Sequence, residues 1–238
     1  MTNRELFLTI KAKDLVNYGI ILLCRDDEYS RLAAEKIVSI WGANVDVFYQ
    51  KGNERPENFR ELIARKIAIS FRSLIVLTQA ELDAVALAVN FHPAPPEYPG
   101  VGGYNFAIYE QAREYGVTLH LMSAKVDSGS IISVKRFPIQ PDVTVAELKD
   151  RANVEMLKML DKFIKDLLLL GEDGLLKLIS NQIEVWNENT ISRKKLNDLC
   201  TVSLNLSAEE IKKRLRACHY PPKYGLDVVI NGKTYNLL

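Results

Sequence analysis

An amide and an imidazole two residues apart, Asn90 and His92, close an almost unbroken apolar run at residues 84–91. On a β-strand an i, i+2 pair shares one face, while Phe91 between them points the opposite way. A run this apolar fits a parallel strand buried on both faces. Pro93, Pro95 and Pro96 then stop it, because proline cannot donate to a sheet ladder. The pair therefore sets a neutral hydrogen-bond donor beside a group that titrates near neutrality. It does so at the carboxyl end of a strand, where open α/β sheets bind their ligands. A second strand candidate at residues 117–122 leads to the turn Asp127-Ser128-Gly129, whose carboxylate can return to the same crevice. The bland alternatives are a hydrogen-bonded structural histidine and an ordinary Asp turn.

The elements that position these residues read as an α/β fold, a Rossmann-like, mostly parallel sheet with flanking helices. Residues 18–24 form a first strand. A helix follows from Asp26 or Asp27, with Leu32, Ala33, Ile37, Ile40 and Trp41 as its apolar face and Gly42 as its stop. Residues 44–49 read as the second strand, which completes a βαβ opening. No GxGxxG lies between strand and helix, so nicotinamide-cofactor binding has no support. A polar loop at 51–57, a short helix at 57–65 and a third strand at 66–71 precede the central run. Beyond it, Asn105 opens a helix at 104–114, and residues 131–139 form a further strand.

Residues 144–170 are expected to be helical in one or two pieces. Val154, Leu157, Leu160, Ile164, Leu167 and Leu168 make an apolar stripe that is core or an oligomer face. A short helix at 174–181, a strand at 182–186 and a helix at 193–199 come next. Ser207 and Glu210 form a Ser-x-x-Glu capping box for another helix. Asn231-Gly232 between two alternating runs signals a hairpin. The division expected is a catalytic unit at residues 1–150. Residues 151–238 then form a helical linker and a small C-terminal helix and β-hairpin appendage.

The 238 residues carry 31 Lys and Arg against 30 Asp and Glu, so no global field draws in a polyanion. Cys24, Cys200 and Cys218 are odd in number, far apart and without CxxC spacing. They read as buried or incidental thiols in a reducing cytoplasm. With no signal-peptide pattern and no long apolar run, a cytoplasmic protein without a membrane partner is expected.

Four segments together carry a resemblance. They are Asn90-Phe91-His92; Pro96-Glu97-Tyr98-Pro99-Gly100; Gly116-Val117-Thr118-Leu119-His120-Leu121-Met122; and Asp127-Ser128-Gly129-Ser130-Ile131-Ile132. Their order over about forty residues resembles the folate-dependent formyltransferases. One departure stands out. The family usually has Ser-Leu-Leu-Pro after the histidine; here Pro93-Ala94-Pro95-Pro96 is one residue shorter and lacks the serine.

The resemblance implies acyl transfer from N10-formyltetrahydrofolate to an amine, without a metal. Asn90, His92 and Asp127 are then catalytic: an amide donor for the carbonyl oxygen, a proton carrier, and a carboxylate that orients the ring. His120 is expected to be structural. The backbone of Phe71, Arg72, Ser73, Leu74 and Ile75 would meet the pterin, although Leu74 to Leu77 also read as simple packing. Pro93, Tyr98, Asn105, Arg216 and Tyr220 are the candidate acceptor contacts; Asn105 could equally cap its helix, Arg216 be solvated and Tyr220 merely pack.

The tail is similar to those of formyltransferases acting on nucleotide-linked amino sugars. That implies a small-molecule acceptor, no nucleic-acid partner and a homodimer. The alternatives are a methionyl-tRNA or glycinamide-ribonucleotide type of enzyme, or a non-catalytic binding module of the same fold. The catalytic residues and the pterin strand all precede Asp150, so the donor site is expected to be built without the tail.

Overall fold

The computed structural model describes residues 17–51, 55–203, 205–220, 225–230 and 232–237. Within them β1 (Ile20–Arg25), α1 (Glu28–Trp41), β2 (Val45–Gln50), α2 (Phe59–Ile63), β3 (Ile67–Phe71), α3 (Gln79–Leu82) and β4 (Leu87–His92) come first. Then follow α4 (Gly103–Tyr109), β5 (Glu114–Leu121), β6 (Ile131–Pro138) and the long α5 (Val145–Ser180). The main sheet has the order β2-β1-β3-β4-β5-β6. Its first four strands are parallel, and β5 and β6 are antiparallel. The sheet is thus mostly parallel, as the sequence indicated.

Alternation along the strands sorts side chains onto two faces. Ile20, Leu22, Ile67, Ile69, Phe71, Val89 and Phe91 face α1 and α5 in the larger core. Phe91 meets Phe163 of α5 edge-on at 6.0 Å. Ile21, Leu23, Ala68 and Ala88 face Phe59, Ile63, Leu77 and Leu82 on the other side. Asn90 and His92 continue the row of Ala88, past the point where that smaller core ends.

Asp27 is the N-cap of α1, its carboxylate accepting from Ser30 N at 3.0 Å, and Gly42 ends the helix at φ 88°. Ala33, Ala34 and Ile37 are buried and Ile40 and Trp41 half-buried, whereas Leu32 lies exposed. A reciprocal Thr144/Glu147 capping box starts α5. Gly171, at φ 58° and ψ −153°, breaks α5 into two helical pieces, in keeping with the helices expected at 144–170 and 174–181.

The appendage holds α6 (Arg193–Leu199), β7 (Thr201–Ser203), α7 (Ala208–Cys218), β8 (Leu226–Ile230) and β9 (Lys233–Leu237). A three-stranded sheet, β7-β8-β9, closes it. Ile230 pairs with Lys233, which leaves a two-residue connection with Gly232 at φ 74°, the geometry an Asn-Gly hairpin needs. Asn231 itself, Pro221 and Pro222 lie outside the described residues. No helix among the described residues is long and apolar enough to cross a membrane.

Five expectations are corrected. The central strand begins at Leu87, not at residue 84, and it pairs in parallel on one side only. The helix at 104–114 stops at Tyr109, and β5 starts at Glu114, three residues before its apolar run. Ser207 caps α7 through Glu210 N, but the Glu210 carboxylate goes to Tyr109 and Arg214, so the box is half made. Residues 182–186 are extended and alternate in exposure without joining a sheet. Finally, Cys200 and Cys218 are not incidental thiols. The chain runs through β7 and back along α7, which brings the residue after α6 and the last residue of α7 to a Cα separation of 5.5 Å, and they are disulfide-bonded. Cys24 is a buried free thiol, pushed up to about 12 by burial against the opposing Ser30 hydroxyl.

Candidate active site

The antiparallel pairing of β4 with β5 builds the site. It sets Asn90 across from His120 and His92 across from Thr118, so all four side chains share one face. Asn90 Nδ2 lies 3.0 Å from His120 Nε2, and His120 Nδ1 lies 2.8 Å from the Leu121 carbonyl. The tautomer that satisfies both has Nδ1–H donating and Nε2 accepting. One N–H of the Asn90 amide is thereby used, and the other remains on a half-buried group facing the strand end.

His92 is held from the proline-rich loop. Its Nε2 lies 3.0 Å from the Tyr98 carbonyl, while Thr118 Oγ1 donates to Ala94 O at 2.8 Å and Tyr115 Oη to Pro93 O at 3.0 Å. Nδ1 of His92 is left 3.3 Å from Asp127 Oδ2. Asp127 sits in the left-handed region at φ 43°. It accepts from Gly100 N at 2.7 Å and places Oδ1 3.4 Å from His120 Nε2. Two glycines make this close approach possible. A Cβ on Gly129 would stand 1.8 Å from the Leu121 carbonyl oxygen, and one on Gly100, at φ 94°, 2.3 Å from that of Ile191.

His92, His120 and Asp127 are 4%, 2% and 8% exposed, so their charges are set by one another. Burial would raise the Asp127 carboxyl; the two imidazoles and the Gly100 N–H outweigh it and bring the group down to about 2. Burial lowers His92 below its ordinary value, with Asp127 and the Tyr98 carbonyl pulling the other way. The arrangement is a neutral base whose conjugate acid has a carboxylate waiting beside it.

One component has no counterpart in the sequence reading. The Trp186 indole donates from Nε1 to the Gly129 carbonyl at 2.8 Å. Its ring stands edge-on to His120 at 4.9 Å and to His92 at 5.7 Å between centroids. Trp186 lies beyond Asp150, outside the stretch that holds Asn90, His92 and Asp127. The available signal was the alternation at 182–186, which was read as a strand.

The remaining expected contacts fall elsewhere. Phe71 is wholly in the core, and Arg72, at φ 59°, clamps Asp27 and Asn153. Leu74 N donates to Gln50 Oε1 at 2.8 Å, and Ile75 N to Ser73 Oγ at 3.0 Å. Leu74 and Val76 point outward, with Ile75 and Leu77 inward. Tyr98 Oη donates to Glu110. Asn105 is buried and its amide donates to the Ala217 carbonyl at 2.7 Å, which ties α4 to α7. Tyr220 takes a hydrogen bond from Lys149 Nζ, while Arg216 is exposed on α7. The structure thus brings Asn90, His92 and Asp127 together, adds His120 and Trp186, and leaves Asn105 and Tyr220 at the junction with the appendage. Among the described residues no group of three or more His, Cys, Asp or Glu could hold a metal ion.

Comparison with known proteins shows which family the whole chain is related to. The family model described as formyl transferase matches residues 28–163, more than half of the chain. A methionyl-tRNA formyltransferase of Hydrogenobaculum sp. is 27% identical over 161 residues, covering 67% of this chain and 50% of its own. A phosphoribosylglycinamide formyltransferase of Haemophilus influenzae is 31% identical over 78 residues, 32% of this chain and 37% of its own. The chain spans about half the length of the methionyl-tRNA formyltransferases it matches. Among solved structures, a sugar N-formyltransferase from Shewanella sp. has a TM-score of 0.73 at 17% identity, over 92% of this chain and 96% of its own. The N-formyltransferase of Helicobacter canadensis, in complex with folinic acid and dTDP-3-aminofucose, has a TM-score of 0.68 at 20% identity, over 91% and 86%.

Proposed function

Because the chain belongs to the formyl transferase family, we propose that it moves a formyl group from N10-formyltetrahydrofolate to the amine of a nucleotide-linked amino sugar. The observation that carries this reading is the cluster of Asn90, His92 and Asp127 at the end of β4. The folate supplies the formyl group on N10, and the chain's residues handle charge and protons around it. The free N–H of Asn90 donates to the formyl oxygen as charge gathers there. Nε2–H of His92 is spent on the Tyr98 carbonyl, so Nδ1 takes the proton that the attacking amine must lose. Asp127 Oδ2, 3.3 Å away, steadies the imidazolium. That same proton is the one N10 needs to leave, so the site ends the reaction in its starting state.

For the donor, we assign the run from Phe71 to Ile75. Leu74 and Val76 offer an apolar edge to a flat ring. The N–H groups of Leu74 and Ile75 are already engaged, so hydrogen bonds to the pterin come from elsewhere on the run. For the acceptor, Pro93 and Tyr98 frame the loop beside His92. Asn105 and Tyr220 shape its surroundings through the α4–α7 junction. Arg216 is the exposed cation for a nucleotide phosphate. Leu169, Leu170, Ile183 and Val185 expose apolar side chains on α5 and the segment after it, which supports a homodimer in solution.

The sugar acceptor is favoured by the balanced charge, since a polyanion needs clustered Lys and Arg to displace its counterions. It is also favoured by a fold likeness that runs through the appendage. The second reading, a methionyl-tRNA acceptor, is favoured by the sequence relatives. Tetrahydrofolate release with a panel of nucleotide amino sugars, against charged initiator tRNA, separates the two. A faster rate with tRNA than with every sugar would overturn the proposal.

A further inference from the structure

We propose that Trp186 is a positioning residue for formyl transfer, carried into the site by residues 182–191, where it fixes the Asp127 loop and keeps water from the paired imidazoles. The proposal rests on the formyl-transfer reading for its rate effects. The geometry stands apart from that reading.

Residues 182–191 belong to no sheet ladder, yet their path is specified at almost every inward position. Gln182, Glu184 and Trp186 face the protein, while Ile183 and Val185 are 91% and 79% exposed. Glu184 forms a two-pronged ion pair with Arg136 at 2.9 and 2.7 Å, and Arg136 also holds Glu97 at 2.7 Å. Asn187 N donates to Pro96 O, Ile191 N to Pro99 O, and Val101 N to Ile191 O. These bonds bracket Tyr98 and Gly100, the two residues whose backbones hold His92 and Asp127. The Trp186 N–H meets the Gly129 carbonyl, two residues beyond Asp127. One segment therefore laces together both loops that hold the base and the carboxylate.

The ring does something the laces do not. It lies edge-on against both imidazoles, so cutting it back exposes them to water. The titratable groups facing His92 are Asp127 and His120. Tyr98 contributes only its carbonyl, and Trp186 contributes no charge. Burial is what holds His92 low, so wetting the ring moves its titration upward.

The chain contains three histidines, His92, His120 and His219, which makes imidazole NMR titration readable in the full-length protein. Trp186→Ala is expected to raise the His92 midpoint and to move the acidic limb of the kcat profile with it. Its kcat falls about a hundredfold, as misplaced reacting groups do, with the KM for the folate donor unchanged. Trp186→Phe keeps a ring but loses the N–H. It keeps the His92 midpoint and loses roughly tenfold in kcat, about one hydrogen bond's worth in the transition state. Lost rate with an unmoved midpoint and an unmoved profile would mean that Trp186 only stabilises the fold, and would overturn the proposal. Should Trp186→Ala fail to fold, Trp186→Leu serves in its place. If the wild-type protein transfers no formyl group at all, the functional reading falls, while the His92 midpoint still decides the role of Trp186.

Discussion

The corner at the end of β4 and the appendage after Ser192 are held together in opposite ways. In the corner every ring nitrogen and carboxylate oxygen of His92, His120 and Asp127 lies 2.7 to 3.4 Å from a polar atom of a neighbouring residue. A residue in left-handed backbone is kept there by its neighbours. The appendage is smaller and more exposed; Leu199, Val202, Ala217 and Leu226 join it to the larger core, and a few discrete pins fix it further. These are the Cys200–Cys218 disulfide, Arg214 against the carbonyls of Asp198 and Thr201, Tyr109 on Glu210, and Asn105 on Ala217. Dense mutual contact sets positions to fractions of an ångström. Sparse pins set only where a unit docks. Damage to the first should therefore cost more in rate than in stability, and damage to the second more in stability than in rate.

The largest effects test the first half of that contrast. His92→Asn and Asp127→Asn should each lower turnover by at least about a hundredfold, measured on protein whose circular dichroism matches wild type. Near-normal turnover in either variant would break the assignment of the corner. Asn90→Ala should cost about 3–4 kcal/mol of transition-state stabilisation, the worth of one donor to a developing oxyanion. Since Asn90 is half-buried, its Tm should hardly change. A Tm loss as large as the rate loss would erase the distinction between the regions.

The second half is tested by Cys200→Ser, or by reduction. Opening a cross-link that spans 18 residues should cost about 3 kcal/mol of unfolding free energy, read from denaturant titrations, with turnover at the corner retained. The smallest expected effect is acid sensitivity. Asp127 is lowered on folding, so its contribution of about 2 kcal/mol is present above the unfolded carboxyl value and fades as pH falls towards 2. His92 is lowered too, so the unfolded chain binds its proton first, and stability begins to fall once pH drops through the ordinary imidazole range. Both contributions have the same sign. Urea midpoints from pH 8 downward should decline in those two stages, and Asp127→Asn should remove the lower one.

How much of this was legible depended on how local each signal was. Asn90 and His92 could be placed on one face of a strand from their spacing alone, and the Gly232 turn from the runs around it. Asp27 and Ser207 announced helix starts because caps use side chains within three residues. The role of His120 was not legible as more than structural support. Its nearness to Asn90 depends on β5 running antiparallel, which no short window of sequence states. Trp186 lies 57 residues from the carbonyl it binds and sits in no motif. The alternation around it was real, but a half-buried alternating segment reads as a strand whether or not a ladder is there to receive it. The cysteines misled because their pairing follows from α7 running back beside the end of α6, not from their spacing.

The antiparallel register of β4 and β5 also acts as a ruler. Asn90 faces His120 because the two strands are counted off against each other from their shared hydrogen bonds, not from the length of chain that joins them. A change of length within residues 93–113 thus leaves the pairing of the two strands in register, although the Ala94 and Tyr98 carbonyls and the Gly100 N–H still have to reach Thr118, His92 and Asp127. The shortened run Pro93-Ala94-Pro95-Pro96 lies inside that tolerant stretch. An added residue within β5 would instead turn the imidazole to the opposite side of the sheet. The one irregular step in this ruler, between Leu119 and His120, falls on the β6 edge, so the graduation that faces Asn90 is left unmoved. Length variation among relatives of this chain should accordingly gather between the two strands and be scarce within them.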